Sequence, residues 1–204
     1  MTDKVLKITK DDLDEDGFYA KSDSLVFDGS IEIEGSLGYV RFRASLVVKA
    51  YIIAKAGSGI KVGEGIKAGT GIEAGEGIEA GEGIEAGWGI KAGSGIKAGS
   101  GIKAGSGIEA GLGIEAGWGI EAGLGISCKT ELKIKLRAFA GLCSWRLPSE
   151  EEKTITCGKF IGGTVEYGIL KEIGMPNTEK DNLLKKADEL IEKANELKEQ
   201  ASKM

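Results

Sequence analysis

The chain contains no histidine. This removes the side chain that most often serves as a general base near neutral pH and most often ligates zinc. The three cysteines, Cys128, Cys143 and Cys157, are odd in number, far apart and include no C-x-x-C pair. They are too sparse for a disulfide framework, so three reduced, partly buried thiols are expected. No run approaches the about 20 apolar residues that span a bilayer. The opening "MTDKVLKITKDDLDEDGF" has no apolar signal core. The net charge of −5 comes from interleaved acidic and basic residues, which offers no basic face for phosphates. These absences lead to the expectation of a soluble cytoplasmic protein. They also predict no metal or cofactor, no membrane span and no direct nucleic-acid binding.

What the chain has in excess is glycine, 34 residues of it. Over residues 57–128 the glycine belongs to a six-residue phrase, G-x-G-I-x-A. Isoleucine recurs at 60, 66, 72 and so on to 126. Collagen is excluded because glycine does not fall at every third position. A flexible linker does not account for isoleucines in register, which need a core. Ile-charge-Ala reads as a three-residue strand, with its first and third side chains inward and its second outward. Gly-x-Gly reads as the corner between strands.

The outward charges give the size of the coil. In order they are Lys55, Lys61, Lys67; Glu73, Glu79, Glu85; Lys91, Lys97, Lys103; Glu109, Glu115, Glu121. The sign reverses after every third repeat. A coil of three repeats stacks opposite charges vertically, in the columns Lys55-Glu73-Lys91-Glu109, Lys61-Glu79-Lys97-Glu115 and Lys67-Glu85-Lys103-Glu121, with Lys133 extending the second. A coil of two repeats would place Glu73 on Glu85 and Lys91 on Lys103, an unfavourable pairing. The fold class expected is therefore mainly β. It is a three-sided parallel β-helix of about 18 residues per coil, its hand unassigned, followed by a C-terminal α-helix.

The remaining chain divides around this core. Residues 1–23 are a polar segment with a β-like "KVLKI". Residues 24–56 read as irregular first coils or a cap. There Phe42-Arg43-Ala44 and Val48-Lys49-Ala50 are expected to keep the phase, with Arg43 below Lys61 and Lys49 below Lys67. Residues 129–175 read as closing strands, with Gly162-Gly163 as a hairpin turn before "TVEYGIL". Residues 177–203 read as a helix with a heptad-like seam, Leu183, Ala187, Leu190, Ala194, Leu197 and Ala201. Leu183, Ala187, Leu190, Ala194 and Leu197 are the candidate oligomerisation residues. The same stripe also suits a helix packed on its own protein.

The coil of three six-residue phrases resembles the left-handed β-helix of hexapeptide-repeat proteins, among them acyltransferases and γ-type carbonic anhydrases. The resemblance covers about residues 42–128. It departs from the family where Ser, Thr, Glu, Trp or Leu stands in place of the usual small residue two before the aliphatic one. The stretch "SLVFDGSIEIEGSLG" is similar in texture to bactofilins, three-sided solenoids that polymerise as cytoskeletal elements. Acyl transfer in the first family implies a histidine base, and its carbonic anhydrases imply histidine zinc ligands. A chain without histidine carries over neither activity, and no enzyme is expected.

The variable slot of Gly-x-Gly accepts Glu at 64, 76 and 82, so it faces outward at a corner. Trp88, Leu112, Trp118 and Leu124 also occupy this slot and are the candidate protein-binding residues. The other expectation is that the segment holding Phe139, Trp145 and Leu147 folds back over them. The function expected is a non-enzymatic scaffold acting through self-association, as a homo-oligomer, or through a rigid surface for protein partners. The alternative is a small inhibitor or decoy, such as an anti-defence protein carried by a phage or mobile element.

Overall fold

The computed structural model describes residues 4–176. They build a parallel β-solenoid whose regular coils each hold about 18 residues. Nine strands stack on its first face, so the chain climbs through about eight turns. Short strands such as Ile72–Ala74, Ile78–Ala80 and Ile84–Ala86 form successive sides of one coil. Each pairs in parallel with its equivalent on the next coil, as in Ile72↔Ile90 and Ile78↔Ile96. Three faces result. The helix expected over 177–203, with Leu183, Ala187, Leu190, Ala194 and Leu197, lies outside the described residues.

The interior consists of vertical columns of isoleucine and alanine, and the twelve isoleucines of the repeat are all buried. Burying each such side chain stabilises by about 1.5–3 kcal/mol. Alternation along a strand directs the middle residue outward, and there the charges stand exposed.

The two glycines of each corner differ. A Cβ on the first, at Gly81, Gly99 or Gly117, would be driven into the carbonyl oxygen of the glycine one coil below. A Cβ on the second, at Gly83 or Gly101, would lie 3.4 Å from the nearest carbonyl oxygen, an ordinary contact. None of these has a left-handed backbone. The first glycine is required by close approach of two successive coils. The second is sterically optional in mid-stack but not at Gly113 or Gly119, where a Cβ would meet the Glu131 or Arg137 carbonyl oxygen at 2.9 or 2.5 Å.

Before the repeat the coils are longer, and the expected phase is corrected. Val40-Arg41-Phe42 lies below Ile60-Lys61-Val62, and Leu46-Val47-Val48 lies below Ile66-Lys67-Ala68. This offset exceeds that of the regular coils by two positions. Arg41, not Arg43, is thus below Lys61, and Val47, not Lys49, below Lys67. Ile53, not Lys55, is below Glu73. The two extra residues sit in the corner Lys55-Ala56-Gly57-Ser58, where Gly57 has φ +74°. Ser58 is fully buried there. Its hydroxyl donates to the Glu34 carbonyl at 2.5 Å and accepts from the Leu37 amide at 3.0 Å. Inserted corner residues thus stack on an inserted corner one coil below.

Both ends are finished by irregular chain. "KVLKI" supplies the strand Val5–Ile8, paired with Ser30–Ile33. Residues 9–24 then cross beneath the second face, where Phe18 bridges to Arg41, the Arg43 guanidinium lies 4.4 Å from the Phe18 ring centre and Tyr19 packs on Phe42. At the other end, Glu131–Ala140 is a single strand that runs along two faces, pairing with Ile114–Ala116 and then Ile120–Ala122. Lys159–Tyr167 follows it in parallel. The expected hairpin at Gly162-Gly163 is therefore corrected. With φ of 83° and 21°, these glycines bend one strand around a corner instead of reversing it.

Gly99→Ala is expected to cost more than about 3 kcal/mol in denaturant unfolding, because backbone must move. Gly101→Ala should stay within about 1 kcal/mol of the parent. Equal effects would refute the distinction between the two glycines.

Candidate interaction surface

The outward charges form ladders along the regular coils. Each lysine is paired with the glutamate one coil above: Lys61–Glu79 at 2.7 Å, Lys67–Glu85 at 3.1 Å, Lys91–Glu109 at 3.3 Å, Lys97–Glu115 at 3.2 Å and Lys103–Glu121 at 2.9 Å. Lys133 reaches back to Glu115 at 3.7 Å. The Glu121 carboxylate beside Lys103 lifts the pKa of its ammonium. These pairs are exposed, so each contributes well under about 1 kcal/mol. Their combined effect is on register, because a slip of one coil would set like charge over like.

A trough runs beside the ladder on two faces, floored by the second glycines of the corners. On the first face it measures about 830 Å³ and passes Gly71, Gly89, Gly107 and Gly125, with Trp88 at its side. On the third face it measures about 820 Å³ and passes Gly65, Gly83, Gly101 and Gly119, with Trp118 at its side. On the second face the space is about 290 Å³. There the ring of Tyr39 lies over Gly59 and Gly77, in the place a Cβ would take. Burial beside Glu79 and Glu76 raises the Tyr39 phenol pKa. A glycine-floored trough of this chain thus accepts an aromatic ring.

The four candidate protein-binding residues do not meet in one patch. Leu112 stands at the corner between the first and second faces, Trp118 between the second and third, and Trp88 and Leu124 between the third and first. Trp88, Trp118 and Leu112 are 68%, 63% and 53% exposed. Only Leu124 is covered in part. The amides of Gly141 and Cys143 donate to the carbonyls of Leu124 and Gly123, and the ring edge of Trp145 lies over Gly123. The folded-back segment therefore reaches one corner and leaves the other three residues exposed. The sequence did not reveal the troughs, since it does not distinguish an optional glycine from a required one.

Cys128 and Cys157 are buried free thiols. Burial, with Cys157 nearby, pushes the Cys128 thiol up to about 12. Burial also raises that of Cys157. Neither is an activated nucleophile. Among the described residues, no three Cys, Asp or Glu side chains converge to hold a metal ion. No protein family, curated protein or solved structure matches this chain.

Thiol labelling at pH 8 should modify Cys143, while Cys128 and Cys157 react only on unfolding; comparable rates at all three would contradict their burial. Ionisation of Cys128 is disfavoured in the fold, so its contribution to stability is intact below pH 9 and is lost as pH rises from 9 to about 12. Cys128→Ala should flatten that fall. In the ladder, Lys97→Glu sets three glutamates in one column and should cost about 1 kcal/mol. Added salt should shrink the cost, and a salt-independent loss would point to packing instead.

Proposed function

We propose that this chain is a non-enzymatic scaffold whose rigid solenoid holds apolar anchors for protein partners, including further copies of itself. One observation supports this reading above others: two tryptophans, 68% and 63% exposed, stand on regular coils beside open troughs. Large aromatic side chains carry much of the energy of protein interfaces. A solenoid presents them at fixed spacing, so little ordering entropy is lost on docking. The decoy alternative gains nothing comparable, because the stacked Lys and Glu cancel on every regular face and leave no stripe of one sign.

The test is photo-crosslinking in cells, with a photoreactive residue at position 88 or 118 and, as an exposed control, at position 55. Discrete protein adducts at 88 or 118, absent at 55, are expected. Their mass separates self-adducts from partners. No adducts, or the same pattern at all three positions, would overturn the scaffold reading.

A further inference from the structure

The outward residues of the third face form one vertical column: Val26, Val47, Lys67, Glu85, Lys103, Glu121, Phe139 and Tyr167. Each is paired with the next, the last step from Phe139 to Tyr167 following a bulge at Glu166. The column is antisymmetric about its midpoint, between Glu85 and Lys103. Counting outward from there, Glu85 answers Lys103, Lys67 answers Glu121, Val47 answers Phe139 and Val26 answers Tyr167. We infer that this face docks onto the same face of a second copy of the chain, with the two solenoids antiparallel. The inference rests on the scaffold reading and specifies which surface self-associates.

Consider a two-fold axis in the plane of the interface, perpendicular to the solenoid axis. It reverses the order of coils and keeps each column facing its own counterpart, as an isologous contact requires. Every lysine of the ladder then faces a glutamate of the second copy. The apolar ends meet each other, with Val26 and Tyr167 76% and 46% exposed in the single chain. A two-fold axis along the solenoid would instead set Lys67 on Lys67 and Glu85 on Glu85, which like-charge repulsion forbids.

The other faces lack this property. On the second, Arg41, Lys61, Glu79, Lys97, Glu115 and Lys133 run in sequence. Any centre that pairs the inner charges sets Arg41 against Lys133 or leaves Lys61 without a carboxylate. On the first, only Glu73, Lys91 and Glu109 alternate between Ile53 and Ser127. Three charges cannot all be answered by their own reverse.

The trough has a place in the same arrangement. Trp118 stands near its upper end, and the lower end, beside Ser45, Val47 and Gly65, is open. Reversing the coils brings Trp118 of the second copy level with that open end. Tyr39 shows on the second face that a ring fits over such a floor. Gly83 and Gly101 are not demanded by sterics within the chain, and a side chain at Gly83, one coil from the entering ring, would crowd it. Eight coils at about 4.8 Å make the face about 34 Å long. The pair then buries about 1,200 Å² in total, at the lower edge of specific interfaces. A reversible, salt-sensitive dimer is the expected result.

The experiment mixes ¹⁴N- and ¹⁵N-labelled full-length chains at about 100 µM, where such an interface would be populated, and applies a zero-length carbodiimide cross-linker. Within one chain Lys67 and Glu121 are three coils apart, about 14 Å, beyond such a link. A mixed-label peptide joining them therefore reports this interface, whatever other contacts join the copies. Mixed-label links Lys67–Glu121 and Lys103–Glu85 are expected, falling about tenfold in high salt as the charges are screened. Val26→Lys with Tyr167→Lys should abolish them, since it sets lysine against lysine on exposed positions. The fourfold reversal Lys67→Glu, Glu85→Lys, Lys103→Glu, Glu121→Lys preserves the vertical alternation that the fold uses. That variant should form the 67–121 link with itself and none with the parent chain. Absence of mixed-label links, or free linking between the reversed and parent chains, would overturn the inference. Adducts from position 88, whose side chain lines the first-face trough, to proteins other than a second copy would survive such a failure and keep the scaffold reading separate from it.

Discussion

Each corner of the prism depends on a glycine Cα pressed against a carbonyl oxygen of the coil below. At Gly99, Gly81 supplies that oxygen, and at Gly117 it is Gly99. The approach is possible only without a Cβ. It brings the Gly99 amide to 3.1 Å from the Ala80 carbonyl and the Gly117 amide to 3.0 Å from the Ala98 carbonyl, which satisfies backbone that would otherwise be stranded at a turn. Three such corners per coil set the sides to three residues, and that length leaves room for one inward isoleucine, one inward alanine and one outward charge. The core, the ladder and the troughs all follow from that spacing.

Within this frame the charges and the core do different work. Isoleucine columns supply most of the stabilisation by burial, but identical columns cannot tell one coil from the next. A slip by one coil would bury the same side chains. The alternating charges remove that degeneracy, because the slipped pairing sets Lys on Lys and Glu on Glu along each ladder. The interactions are weak singly and nearly uniform in direction, each lysine reaching the glutamate above it except Lys133, which reaches the one below. Where the ladder ends, other devices take over: an inserted corner pinned by buried Ser58, and Phe18 beneath the guanidinium of Arg43.

The regular coils were legible because one period carried three independent signals: isoleucine for the core, glycine for the corner and charge sign for the stacking. The stack Lys61-Glu79-Lys97-Glu115-Lys133 followed from these letters alone. The irregular coils were not, because two residues inserted at Lys55-Ala56-Gly57-Ser58 leave the alternation of Val and Ile intact while moving its phase. Phe42-Arg43-Ala44 fits the template as text, yet Val40-Arg41-Phe42 is the segment that stacks. Gly162-Gly163 misled for a related reason. Paired glycines suit a reversal, but a strand turning a prism corner needs the same backbone freedom. The apolar corner residues were identified as exposed slots, whereas their separation onto three corners depends on counting every slot against the coil. Dividing slot 88, 112, 118 or 124 by the coil length requires the correct phase at the start.

A sign change every third repeat gives all three faces the same alternation, so the repeat itself does not distinguish them. The faces differ in where the run is cut. The third face starts at Lys67, above Val47, and stops at Glu121, below Phe139. The first starts at Glu73, above Ile53, and stops at Glu109, below Ser127. An even run of alternating charge is the complement of its own reverse, and an odd run is a copy of its own reverse. Parity therefore decides which face can meet itself. That parity is set at the boundaries, by the handover from the longer first coils to the regular ones and by the start of the strand Glu131–Ala140. One more coil of the same alternation would give the third face five charges and the first face four. Self-complementarity would pass from one face to the other with no change in the repeated phrase, so the number of repeats specifies the surface as much as their composition does.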